Sequence, residues 1–197
     1  MENNLDSLLT ELKSVHSDLR LISTDLVVVA DWVSWKCRYG CPAYGKHLCC
    51  PPFAPTSDET RKMVSEYSSA ILVRLEVPAG FDREEAKSLA NEGKTKLQRI
   101  VCDLERQAFL SGYYKAFGMS SSPCHLCESC VIEEKLARNE MISNSDALNC
   151  RHKDIMRPSM EACGIDVFKT LDNAGYDPKV LKDYAGTLEL FGLVLLD

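Results

Sequence analysis

The run Pro123-Cys124-His125-Leu126-Cys127-Glu128-Ser129-Cys130, with Cys150 further along, constrains this chain more than anything else in it. Three thiolates at steps of three on one loop wrap a corner of a compact inorganic core, and a fourth from a distant segment closes the set. This is a common way of holding a [4Fe–4S] cluster. A cuboidal cluster spreads its ligands over several ångströms. A single zinc ion instead draws four donors to about 2.3 Å from one point and usually takes them from two separated CxxC pairs. An unbroken CxxCxxC therefore favours iron–sulfur over zinc, and inert buried thiols explain so reactive a grouping poorly.

A second constellation runs from Cys37 through Arg38-Tyr39-Gly40-Cys41-Pro42-Ala43-Tyr44-Gly45-Lys46-His47-Leu48 to Cys49-Cys50-Pro51-Pro52. Glycine and proline make it a tight irregular loop, the kind of backbone that presents several thiolates inward and aims amides at sulfur. Cys37, Cys41, Cys49 and Cys50 are its candidate ligands. The spacing is less diagnostic here, so zinc competes with iron–sulfur. A redox disulfide between Cys49 and Cys50 is a further alternative, although a vicinal cystine strains the peptide that joins it.

Composition sets the context. Ten cysteines in 197 residues is about 5%, short of the ~8–10% that marks a disulfide-built scaffold. With 23 Lys+Arg against 29 Asp+Glu and no long basic block, the chain lacks the concentrated positive charge that phosphate backbones need, which argues against nucleic acid. The amino terminus has neither a basic region nor an apolar run of the secretory kind, and the longest apolar stretches fall well short of the ~20 residues that span a bilayer. The expectation is a soluble cytoplasmic protein, in a compartment where clustered thiols are metal ligands or redox groups and not cystines. Its partners would be a redox partner protein or a small-molecule substrate.

The rest reads as scaffold. A chain of this size buries roughly 70% of its unfolded surface, enough for one domain over residues 1–197, with cysteine-rich metal-binding loops at 35–55 and 119–158. Leu5, Leu8, Leu9, Leu12, Val15 and Leu19 recur at helical steps, predicting a helix over about 4–21. Leu26–Ala30 reads as a buried strand. Thr56 with Glu59, and Asp82 with Glu85, predict capped helices to about Tyr67 and to Gly112. Strands are expected over 70–77, 113–118 and 187–196, with short helices over 158–164 and 165–174. This alternation predicts an α/β fold, a ferredoxin-like sandwich of about four strands with helices chiefly on one face.

Among the remaining residues, Cys102 and Cys163 read as small core thiols. His125 and His152 flank cluster cysteines and read as solvated. Arg151, Arg157 and Lys46 are cations suited to raising a cluster's potential or receiving an anion, surface charge being the plainer role for Lys46. Trp32 and Trp35 are expected to pack the loop and shield a cluster from water. Ser120-Ser121-Ser122 reads as a flexible approach with no nucleophile signature.

From residue 30 to about 178 the chain resembles an uncharacterised family of predicted metal-binding proteins of anaerobic bacteria and methanogenic archaea. The resemblance rests on Cys37 and Cys41 with Tyr44-Gly45-Lys46, on Cys50-Pro51-Pro52 with Pro55, and on Cys124, Cys127, Cys130 and Cys150-Arg151. It continues through Arg157-Pro158-Ser159-Met160-Glu161-Ala162 and Gly164-Ile165-Asp166-Val167-Phe168. It implies an iron–sulfur or other metal protein without supplying a reaction. Two departures stand out: Glu133 to Asn149 looks inserted, and Cys49 is extra beside the expected Cys50. On that pattern the first set is Cys37, Cys41 and Cys50. A [4Fe–4S] cluster there would leave one iron for Cys49, His47, water or a substrate atom, and an incomplete ligand set suits catalysis. The expected function is a [4Fe–4S] protein in electron transfer or redox support of a partner enzyme. The alternatives are an enzyme with substrate on an open iron of the amino-terminal site, and a zinc-stabilised interaction module.

Overall fold

A computed structural model describes residues 5–181, 183 and 186–197. Residue 4, where the first helix is expected to begin, lies outside the described residues. Helix α1 (Leu5–Leu12) buries Leu8 and Leu12 and ends well before residue 21. Val15 and Leu19 keep the helical spacing, but Ser14, Ser17 and Asp18 offer the backbone local alternatives, and the Ser14 hydroxyl donates to the Glu11 carbonyl. Leu19–Ser23 is strand β1 instead.

The expected strand at Leu26–Ala30 joins no sheet. Thr24–Leu26 is a 3-10 turn, and Val29 forms an isolated antiparallel bridge to Ile165. The amides of Ala30 and Asp166 donate to Gly164 and Val28 carbonyls, both at 2.8 Å. The β-branched run does take extended backbone, but in a two-segment clasp outside the sheet.

Helix α2 (Asp31–Gly40) follows directly, so the first cysteine segment opens on helix and not on loop. Helix α3 (Ser57–Val64) starts at a reciprocal capping box between Thr56 and Glu59. Strand β2 (Ser69–Val77) leads to the long helix α4 (Arg83–Leu110), capped by the Asp82 side chain. Strand β3 is only Phe117–Met119, because Tyr113–Ala116 is spent on a turn. Helices α5 (Val131–Ala137) and α6 (Val167–Asn173) and strand β4 (Leu188–Leu196) complete the chain. Residues 160–164 form successive turns in place of the helix expected over 158–164. Ser159 Oγ accepts the Ala162 amide, and Gly164 sits at φ +80°, left-handed backbone that favours glycine.

The four strands pair in the order β1-β2-β4-β3, every neighbour antiparallel. β2 and β3 are therefore parallel, joined by α4 with β4 inserted between them, a split βαβ unit. In strand order and direction this is the expected ferredoxin-like sheet, read from a different starting strand, with α1 and α4 packed together on one face. Alternation along β2 and β4 makes two cores. Ile71, Val73, Leu75, Leu190 and Val194 meet Leu97, Val101 and Leu104 of α4. Leu72, Phe191, Leu193 and Leu195 face Met119, Met160, Cys163, Ile165 and Leu171 on the other side. Glycine permits the close approach of α4: a Cβ at Gly118 or Gly192 would lie 2.6 or 2.7 Å from a Val101 methyl. Among the described residues no helix is long and apolar enough to cross a membrane.

Leu97, inaccessible between α4 and the sheet, measures this packing. Leu97→Ala is expected to cost roughly 2–5 kcal/mol, read as a lowered midpoint in denaturant unfolding at unchanged slope.

Candidate metal centre

The amino-terminal cysteines are delivered by a helix end followed by turns. Cys37 lies in the last turn of α2 and Cys41 is its C-cap, the Cys41 amide donating to the Cys37 carbonyl at 3.3 Å. Four-residue spacing sets the two on one side of the helix. The chain then folds back: Gly45, left-handed at φ +72°, donates its amide to Pro51, and the Cys50 amide bonds His47. This return buries Cys49 and Cys50.

The two neighbours face different company. Cys50 has Cys41 and Cys37 beside it as well as Cys49, and its thiol is pushed far above the ordinary range, first by its hydrogen bond to Cys49 and then by burial. Their sulfurs are 3.9 Å apart. Cys49 moves the other way, because it receives that bond and also accepts the Cys124 amide at 3.1 Å. Cys37 is raised by burial, by Cys41 and by Glu161, and its thiol approaches the Glu161 carbonyl at 4.0 Å.

A small cavity collects the other set: Cys49, Cys124, Cys127, Cys130 and Cys150 line it together with His47, Arg151 and Met156. Burial lifts Cys124 to about 12 and also raises Cys150. Cys130 is opposed by burial, yet the His47 hydrogen bond and the amides of Ile132 and Leu48 bring it below its ordinary value. All ten cysteines are free thiols. Among the described residues, no three His, Cys, Asp or Glu donors are gathered tightly enough to hold a single metal ion; the sulfurs line walls and do not meet at a point.

The segment from 133 to 149 explains how Cys150 returns. α5 starts from Cys130 as its N-cap and packs against a 3-10 turn at Asn144–Asn149. Lys135 pairs with buried Asp146 at 2.5 Å. Arg151 then donates to the Ser129 carbonyl at 3.1 Å and to both Glu134 carboxylate oxygens, at 2.9 and 2.8 Å. Arg151 lines the cavity with Cys127, so it closes the loop beside a candidate thiol.

Other expectations change. Arg157 is committed to Glu105 through two bonds of 2.7 and 2.6 Å, so it anchors the segment to α4 and is not a free cation beside a cluster. Cys102 is partly exposed on α4 and donates to the Asp154 carbonyl at 3.4 Å; it belongs to neither thiol set. Cys163 is core, as expected. Lys46 is exposed. Burial lowers His125, with Lys94 and His47 adding to the shift, so this imidazole is half-buried and not freely solvated. Trp32 and Trp35 stay 47% and 69% exposed on α2; they wall an open cleft and do not seal a pocket. Ser120 is a base point of the second segment, in a parallel bridge with Ser159.

Glu161 and Ser121 carry polar atoms that are buried without a partner, Glu161 Oε2 and Ser121 Oγ, and both residues line the same cleft as Cys37 and Cys41. Sequence reasoning passed over Glu161, although it stands inside the Arg157–Ala162 motif. Nothing in the local pattern marks which of its neighbours will face the thiols.

The donor set fits a thiolate-held metal group: buried free thiols, an amide directed at sulfur, and no cystine to account for their proximity. A family model described as Predicted metal-binding protein (DUF2284) matches residues 20–196. The chain belongs to that family. No curated protein and no solved structure matches it.

In metal-free protein, Cys130 is expected to alkylate at lower pH than Cys124, whose reactivity rises only as pH approaches about 12. Iodoacetamide labelling across a pH series with peptide mass analysis reads the order directly; coincident profiles would contradict it.

Proposed function

We propose that this chain, a member of the family of predicted metal-binding proteins, is an iron–sulfur protein acting in cytoplasmic electron transfer or redox support of a partner enzyme. Cys124, Cys127, Cys130 and Cys150 would hold a [4Fe–4S] cluster. Cys37, Cys41 and Cys50 would hold a second centre. When bound, such clusters supply one-electron redox chemistry at a potential set by hydrogen bonds to sulfur, charge and exposure.

One observation carries this reading: five thiols from two remote segments line a single cavity. Cysteines placed there only as apolar filler would have no reason to face one another, because buried thiols close together oppose ionisation and gain nothing from it. The spread of sulfurs over cavity walls suits a cluster with bulk better than a point ion. The chain's own part is to exclude water, direct amides at sulfur and place Arg151 in the cavity with Cys127. That cation favours the more negative, reduced state of whatever the thiolates hold.

A second reading has its own support. The cleft that opens on Cys37 and Cys41 encloses about 1,410 Å³ and runs between α2, α6 and the start of β4. With only three thiols at that centre, a small molecule in the cleft would have access to an unfilled metal position, which makes the protein an enzyme. Substrate-dependent change in the spectrum of one centre only distinguishes this from pure electron transfer.

Anaerobic purification followed by iron, sulfide and zinc analysis tests the main reading. Cys127→Ala is expected to lose one centre, about four iron and four sulfide, together with its visible absorption, while Cys102→Ala retains the full complement. A colourless wild-type protein with stoichiometric zinc would refute iron–sulfur and favour the interaction module.

A further inference from the structure

The buried Cys49–Cys50 dipeptide stands between the two thiol sets: Cys41 of the first and Cys124 of the second both pack against the group it forms with Ala43. Cys49 lines the cavity of the second set, where its sulfur accepts the Cys124 amide at 3.1 Å and lies beside the thiols of Cys124 and Cys150. One peptide unit and a sulfur–sulfur contact of 3.9 Å are all that separate the two groups along this line. Both residues are buried, at 1% and 7% exposure, so water does not screen the contact.

We infer that this dipeptide joins the two centres into one electronically coupled pair, so that reduction of either is felt by the other. The inference rests on the iron–sulfur reading and deepens it. Two metal groups held on opposite sides of adjacent cysteines share a wall of sulfur. In a water-poor interior a charge added on one side acts on the other with little attenuation, and the two sites gain and lose electrons as an interacting pair, as coupled protonation sites do. Cys49 fills the space between the sets with a polarisable sulfur, and the Cys124 amide fixes its direction.

Electron paramagnetic resonance on anaerobically purified, dithionite-reduced full-length protein tests this. Three spectra are needed: wild type, Cys127→Ala, which retains the Cys37 centre, and Cys37→Ala, which retains the Cys127 centre. Coupling requires the wild-type spectrum to be split or broadened relative to the sum of the two single-centre spectra. A wild-type spectrum equal to that sum overturns it. Should either variant fail to fold, stepwise reduction of wild type alone decides: line shape must change as the second electron enters, and growth at constant shape overturns the proposal. Iron analysis separates the two failures. Protein without iron and sulfide defeats the underlying reading. Protein with a full iron complement and additive spectra defeats only the coupling.

Discussion

The Glu105 carboxylate is where sheet, long helix and second cysteine segment are tied together. From α4 it accepts the Gly118 amide of β3 at 2.7 Å, and it takes two bonds from Arg157 at the end of the second cysteine segment. Both partners of the ion pair are more than four-fifths shielded from solvent, a setting in which loss of one leaves the other uncompensated at roughly 3–5 kcal/mol. Nearby, Gln98 donates to the Arg157 carbonyl at 3.0 Å. The thiols hang from a loop, but the base of that loop is fastened to the long helix and, through Glu105, to the sheet. That is what allows irregular backbone to hold several sulfurs in register around one cavity.

The protonation preferences of the thiols follow from that confinement. Metal binding requires thiolates, so every raised thiol adds a proton-release step to loading. Cys49 and Cys130 are held below their ordinary values and Cys124 and Cys150 above. On the proposed reading, loading would start from the sulfurs that amides and His47 already favour as thiolates, and the incoming positive charge would offset the burial of the rest.

Much of the scaffold was legible because it obeys local rules. Thr56 with Glu59 and Asp82 with Glu85 mark two helix starts that the structure keeps, and the strands expected at 70–77 and 187–196 are the central pair of the sheet. The failures share one cause: a pattern compatible with two structures was settled by distant residues. Leu19 fits a helical face and a strand face equally, and the register with Val73 decides it. Val29 is strand-like by composition, but its partner is Ile165 and not the sheet. Cys102 reads as core beside Val101 and Leu104, yet it lies on the helix face turned to Asp154. The two thiol sets were visible as spacing. That the Cys49–Cys50 pair would lie between them, with Cys41 and Cys124 both packed against its group, depends on how residues 41–54 turn, and no spacing rule contains that.

The clasp formed by Arg151 with Ser129 and Glu134 has a consequence for how this segment tolerates change. It joins the chain around Cys130 to the chain just after Cys150, and from that closed neck residues 138–141 bulge exposed, while Asp146 beyond them is buried and held by Lys135. Doubling the length of such a bulge adds only about 0.6 kcal/mol of closure entropy. The peripheral stretch is thus free to be trimmed or lengthened over evolutionary time while the sulfurs inside the neck keep their places.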